Sequence, residues 1–168
     1  GTGQSFFENA GRSTHNGLEA SLSMSLLPGL TSNIAYTYSD FTFDTFQDRM
    51  GRNLSGNKIP GIPDNQLLID LSYHHPSNHY ISGNLLYIGG FFADNANTVK
   101  TDSYSVVNLR AGYMYKSRNI EISPFIGINN VLDKRYLSNV RLNANFGRYF
   151  EPAPTRNYYG GISVRYNL

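Results

Sequence analysis

Cysteine and tryptophan are both absent from this chain of 168 residues. Without thiols there is no disulfide framework and no thiolate metal site. Charge is scarce too. Asp, Glu, Lys and Arg make up 15% of the residues, well under the roughly 25% of an ordinary soluble domain. The net charge is +2 with no basic run, which speaks against a nucleic-acid partner. No stretch approaches the ~18 consecutive apolar residues of a membrane-spanning helix, and the mean hydropathy is -0.38. The opening Gly1-Thr2-Gly3-Gln4 carries no signal-peptide pattern; an exported parent would hold that signal upstream. A phosphate-cradling Gly loop before a helix, a Gly-x-Ser-x-Gly elbow and a pair of carboxylates that can be placed in one cleft are all missing, so no enzyme is expected.

What the chain does have is aromatic rings, 13 Tyr and 10 Phe. Poverty in charge without overall greasiness suits a membrane β-barrel, where only alternate strand residues need be apolar. That alternation is legible. Leu18, Ala20, Leu22, Met24 and Leu26 share one face, Glu19, Ser21, Ser23 and Ser25 the other, and Pro28-Gly29 makes a turn. The same period marks strands over Asn33 to Phe41, Gln66 to His74, Tyr80 to Phe91, Tyr104 to Tyr115, Ile120 to Ile128 and Arg156 to Leu168. In the Tyr80 strand the pair Leu85-Leu86 blurs the phase. A short helical turn is expected near Val131 to Leu137.

Two features separate a membrane barrel from a soluble sandwich. Connections alternate between short, at Pro28, Pro76 and Lys116, and long, after Phe43, Phe92 and Asn130. Outer-membrane barrels sort their loops this way, with short periplasmic turns and long extracellular loops. Second, Glu19, Asp70, Arg110, Glu121 and Arg165 all fall opposite the apolar face, among Ser, Asn, Thr and Gly. A lipid-facing charge at mid-depth costs about 2–4 kcal/mol, which accounts for the exclusion. Tyr73, Tyr113, Tyr115 and Tyr158 sit near strand ends, where a ring meets lipid and its hydroxyl meets water.

Three stretches, in order along the chain, resemble the TonB-dependent outer-membrane receptors. They are Phe7-Glu8-Asn9-Ala10-Gly11-Arg12 with Asn16-Gly17-Leu18-Glu19, then Gly127-Ile128-Asn129-Asn130-Val131-Leu132-Asp133-Lys134-Arg135-Tyr136, then Gly147 to Tyr158 with its Pro152-Ala153-Pro154-Thr155-Arg156. The end, Gly161, Val164, Tyr166 and Leu168, resembles the signal read by the barrel-assembly machinery, although the family usually closes on an aromatic and this chain on Leu168. The resemblance implies an all-β, antiparallel transmembrane barrel of twenty-two strands. Residues 1–168 would be its C-terminal part, about the last seven or eight strands, with the plug and the TonB-contacting segment lying outside. The first and last strands would then be unpaired edges, so the isolated piece is expected to close into a small barrel, pair with a copy or aggregate.

The resemblance further implies a bacterial outer-membrane receptor, embedded in lipid, coupled to TonB through the plug, and importing a small scarce nutrient. A ferric chelate (a siderophore) is the leading ligand, with iron only as part of the cargo and no resident cofactor. Similarity of Asn95-Ala96-Asn97 with Gly147 to Pro154 to the pyrroloquinoline quinone group makes that cofactor the alternative cargo. Other readings are an independent eight-stranded outer-membrane barrel with a structural or adhesion role, a soluble lipocalin-like binder, and an outer-membrane enzyme. For an anionic cargo, Arg49, Arg52, Lys58, Arg110, Arg141 and Arg148 are candidate contacts, and Tyr149 and Phe150 candidate stacking partners. His15, His74, His75 and His79 are expected to be structural or solvated, and the Asn53-Leu54-Ser55 tripeptide to be a chance match.

Overall fold

The computed structural model describes residues 11–166. The Phe7 to Ala10 part of the first motif and the terminal Leu168 lie outside that range. The strands are β1 (Arg12–Leu27), β2 (Leu30–Thr45), β3 (Asn65–His74), β4 (His79–Ile88), β5 (Tyr104–Tyr113), β6 (Tyr115–Lys116), β7 (Ile120–Asn129), β8 (Leu137–Val140), β9 (Phe150–Pro152) and β10 (Asn157–Tyr166). The main sheet runs β1-β2-β3-β4-β5-β7-β10, with β6 also paired to β7, and every pairing is antiparallel. β8 and β9 form a separate ribbon. Among the described residues β1 and β10 each have a neighbour on one side only. The sheet therefore stays open and does not close into a small barrel of its own.

The register turns the one-dimensional alternation into two chemically distinct faces. Leu22, Ile34, Ile69, Leu85 and Val107 stand in one row across five strands. Ser23, Asn33, Asp70, Asn84 and Asn108 form the adjacent row, whose side chains point the other way. This settles the phase of β4: Leu85 belongs to the apolar face, while Leu86 opposes Leu68 and the buried Val106 on the polar one. Nothing in the described chain covers the apolar face. Leu18 is 60% exposed, Ile126 71% and Ile162 69%. A contiguous apolar surface of this kind marks contact with lipid or a partner.

The polar face carries its own packing. Arg110 lays its guanidinium 3.9 Å above the Phe125 ring centre and 6.0 Å from that of Tyr80. The rings of Tyr80, Phe125 and Tyr159 lie over Gly112, Gly161 and Gly127, the residues opposite them on neighbouring strands. A Cβ on Gly112 would stand 2.5 Å from the Tyr80 ring, so only glycine fits there. Glu121 binds Lys116 at 3.5 Å and Arg165 at 3.7 Å.

β1 and β2 are longer than their apolar patterns. They run about 20 Å past Leu18 and Tyr38 at ~3.4 Å per residue, held by polar pairing. His15 stacks on Phe41 at 4.4 Å, the Thr14 hydroxyl donates to Asp44 at 2.9 Å, and Arg12 reaches Asp44 at 3.4 Å. At the opposite end Gly29, at φ +80°, makes the tight turn where a side chain would strike the His74 carbonyl. The helical turn expected over Val131 to Leu137 does not form. Asn130 and Asp133 adopt left-handed φ angles of 53° and 52°, and the chain turns and enters β8. Among the described residues the only helical element is a three-residue 3₁₀ turn, Asn145–Gly147.

Candidate ligand site at the long-loop end

The three long loops, residues 46–64, 89–103 and 130–156, leave the sheet at the same end and bind one another. Asn57 donates to the Asn95 carbonyl at 2.9 Å. The Asn97 amide accepts from the Lys58 N–H at 2.8 Å and donates to its carbonyl at 2.9 Å. Asn143 closes the third side, its Oδ1 accepting from the Asn95 N–H at 2.9 Å and its own N–H donating to the Ala93 carbonyl at 2.8 Å. Phe43, Phe46 and Leu54, with Ile59 and Ala96 against them, give this body a small apolar core. The Asn95-Ala96-Asn97 segment is thus spent on holding loops together, which leaves its amides little to offer a cargo.

Several candidate cations are likewise occupied. The Lys58 ammonium binds Asp40 at 2.8 Å and Asp64 at 3.2 Å. Its pKa is raised above the ordinary lysine value, first by the hydrogen bond to Asp40, against a desolvation that acts the other way, and then by Asp64. Arg52 pairs with Asp48 at 2.6 Å. Arg141 grips Glu151 through Nη2 at 2.6 Å and Nε at 2.8 Å. Asn139 and then Arg141 hold the Glu151 carboxyl below the usual glutamate value. Arg49 is exposed and engaged. Arg148 is exposed and, among the described residues, has no ion-pair partner. Tyr149 and Phe150 meet each other at 5.9 Å, and β9 begins at Phe150. Arg110 stands apart from all of these, on the sheet beneath. In the assembly signal Gly161 lies under Phe125, while Val164 and Tyr166 face Ile122 and Ile120.

The cleft that stands out was not singled out from sequence. It has a volume of about 480 Å³ and lies between the second and third loops, with the β8–β9 ribbon as one wall. Lys100, Lys134 and Arg135 line it, along with Asp102, Tyr104, Tyr136 and Phe150. Tyr104 opens β5 on the polar face, and its ring tilts against that of Tyr136 at 4.8 Å. Asn130, 2% exposed, sets the far wall. Its side-chain amide accepts from the Lys134 N–H at 2.9 Å and donates to the Lys134 carbonyl at 2.8 Å, while its backbone N–H donates to Asn108 Oδ1 at 2.9 Å. The signal for this site lay inside the Asn130 to Tyr136 motif, whose Lys134 and Arg135 read from sequence as a family mark and not as a binding pair.

A sheet with one apolar and one polar face, short turns at one end and long loops at the other is what the family comparison then accounts for. Residues 1–131 match the family model described as TonB dependent receptor-like, beta-barrel. The chain belongs to this family. TonB-dependent receptors reside in the outer membrane, bind siderophores and interact with TonB. Among curated relatives, the ferrioxamine B receptor of Salmonella typhimurium is 26% identical over 137 residues, 79% of this chain and 19% of the relative. Among solved structures, the siderophore receptor PiuA from Acinetobacter baumannii matches with a TM-score of 0.75 at 22% identity, over 91% of this chain and 22% of that one. The closed form of the ferric-catecholate import receptor Fiu from K12 E. coli gives 0.70 at 18% identity, over 92% and 21%. The chain therefore spans about a fifth of the length of these receptors, and the open sheet is part of a barrel wall.

Proposed function

We propose that residues 1–168 are the C-terminal part of the β-barrel of an outer-membrane receptor that imports a ferric chelate, a siderophore, with energy delivered through TonB. On this reading the plug and the earlier strands of a twenty-two-stranded barrel belong to the larger part of the receptor beyond this chain. The apolar face meets lipid, the polar face lines the interior, and the long loops face outward. The assembly machinery recognises the end at Gly161, Val164, Tyr166 and Leu168. The protein is a receptor and transporter, not an enzyme.

The observation that carries the ferric-chelate reading is the cationic, aromatic-walled cleft at the long-loop end, in a family whose named relatives handle iron chelates. Ferric chelates are often anionic, and uncompensated Lys and Arg beside flat rings suit them. The test is growth of a strain carrying the full-length receptor as its sole ferric-chelate receptor, under iron limitation, with and without TonB. Growth should follow one or a few chelates and vanish without TonB. Iron-independent uptake of pyrroloquinoline quinone, with no chelate supporting growth, would refute the iron reading and favour the cofactor one.

A further inference from the structure

The charge pattern of the loop-end cleft selects among chelates, a step that rests on the parent being a ferric-chelate receptor. Elsewhere in the loops cations are neutralised: Lys58 by two aspartates, Arg52 by Asp48 and Arg141 by Glu151. In the cleft they are not. Among the described residues none of Lys100, Lys134 and Arg135 forms an ion pair, and Asp102 is the one carboxylate on the wall. A concave site lined by one sign of charge, with apolar walls, concentrates field and draws in ligands of the opposite sign. The walls are flat. Tyr104 and Tyr136 present rings 4.8 Å apart at 31°, and Phe150 faces them from the ribbon. Even Lys100 lies over a ring, 5.4 Å from the centre of Phe92.

We infer that this cleft recognises the anionic aryl arms of a ferric catecholate and disfavours a neutral or cationic hydroxamate chelate. In a tris-catecholate the phenolate charges outnumber those of the iron, so the complex is anionic, and each arm is a planar ring. Lys100, Lys134 and Arg135 neutralise the oxygens while Tyr104, Tyr136 and Phe150 pack the ring faces. A trihydroxamate offers no ring and no surplus negative charge. A ferric carboxylate offers the charge without the ring. The cleft volume of about 480 Å³ falls within the ~300–1,000 Å³ typical of small-molecule sites.

The experiment uses the full-length receptor in detergent, checked for a folded barrel by heat-modifiable electrophoretic migration. It is titrated calorimetrically with three probes: the ferric complex of a synthetic tripodal tris-catecholamide, a ferric linear trihydroxamate bearing a free ammonium, and ferric citrate. The catecholamide should bind tightest. Lys134→Gln or Arg135→Gln should each weaken it about tenfold, and Asp102→Asn should tighten it, with the trihydroxamate unaffected by all three. Preference for the trihydroxamate or citrate would overturn the inference while leaving the receptor reading in place. So would tight catecholamide binding indifferent to every substitution. Failure of all three probes to bind, with the barrel folded, would count against the ferric-chelate reading itself and the inference with it.

Discussion

Asn130 ties the cleft to the sheet, and removing its side chain should loosen one wall without unfolding the barrel. Its amide makes two hydrogen bonds to the Lys134 backbone, at 2.9 and 2.8 Å, from a position 2% exposed. Each such bond contributes about 1 kcal/mol. The residue also sits at φ 53°, where Asn is tolerated and Ala pays about 1 kcal/mol. Asn130→Ala should therefore lower the local opening free energy by about 3 kcal/mol, which speeds exchange of the Lys134 amide about a hundredfold. Asn130→Gly loses the same bonds but relieves the backbone, so its effect should be smaller, about 2 kcal/mol. Hydrogen exchange on the full-length receptor, followed by mass spectrometry over residues 131–137, reads both. Amides within β4 and β5 should keep their protection. Unchanged exchange at Lys134 in the Ala variant, or a Gly variant looser than the Ala variant, would refute the reasoning.

Ile34 and Asn33 are neighbours on β2 facing opposite ways. Ile34→Arg should destabilise the barrel in bilayers by about 2–4 kcal/mol, while Asn33→Arg, opposite Asp70, should be nearly silent; denaturant titration of the reconstituted receptor compares them. Because the folded-state pKa of Lys58 is raised, its tie to Asp40 and Asp64 is fully present below the usual lysine value of ~10.4 and is lost as pH climbs through the folded one. Protease nicking of residues 46–64 should accordingly rise only in strong alkali, and Lys58→Met should bring it to neutral pH. The Glu151 pKa is depressed, so its hold on Arg141 is present above the usual glutamate value of ~4.3 and is lost as pH falls through the folded one. Exchange in the β8–β9 ribbon should quicken in that acid range, and in Arg141→Ala should be quick at neutral pH as well.

Fold class was legible because period-two hydrophobicity is a strand's direct imprint. Leu18 to Leu26 and Gln66 to His74 declared both their extent and their faces. The upper halves of β1 and β2 were not legible, because His15, Thr14 and Arg12 pair through stacking and charge and leave no apolar alternation. The turn at Asn130 was misread as helical because its left-handed backbone depends on a hydrogen bond to Asn108, twenty-two residues away. The site was the least legible part. Loop cations looked alike in sequence, and only their partners distinguish Lys58 and Arg141, which are neutralised, from Lys134 and Arg135, which are not.

The rings laid over glycines on the polar face have a consequence for assembly. A strand that slips by one residue turns its apolar side chains inward, so that error is heavily penalised. A slip by two restores every side chain to its proper face, and polarity alone cannot detect it. The ring-over-glycine pairs can. Moved by two, β10 would set Tyr159 against Phe125 in place of Gly127, ring against ring, and leave Gly161 opposite Ser123. The alternation of bulk and emptiness from strand to strand thus acts as a vernier, marking one alignment among those that hydrophobicity permits.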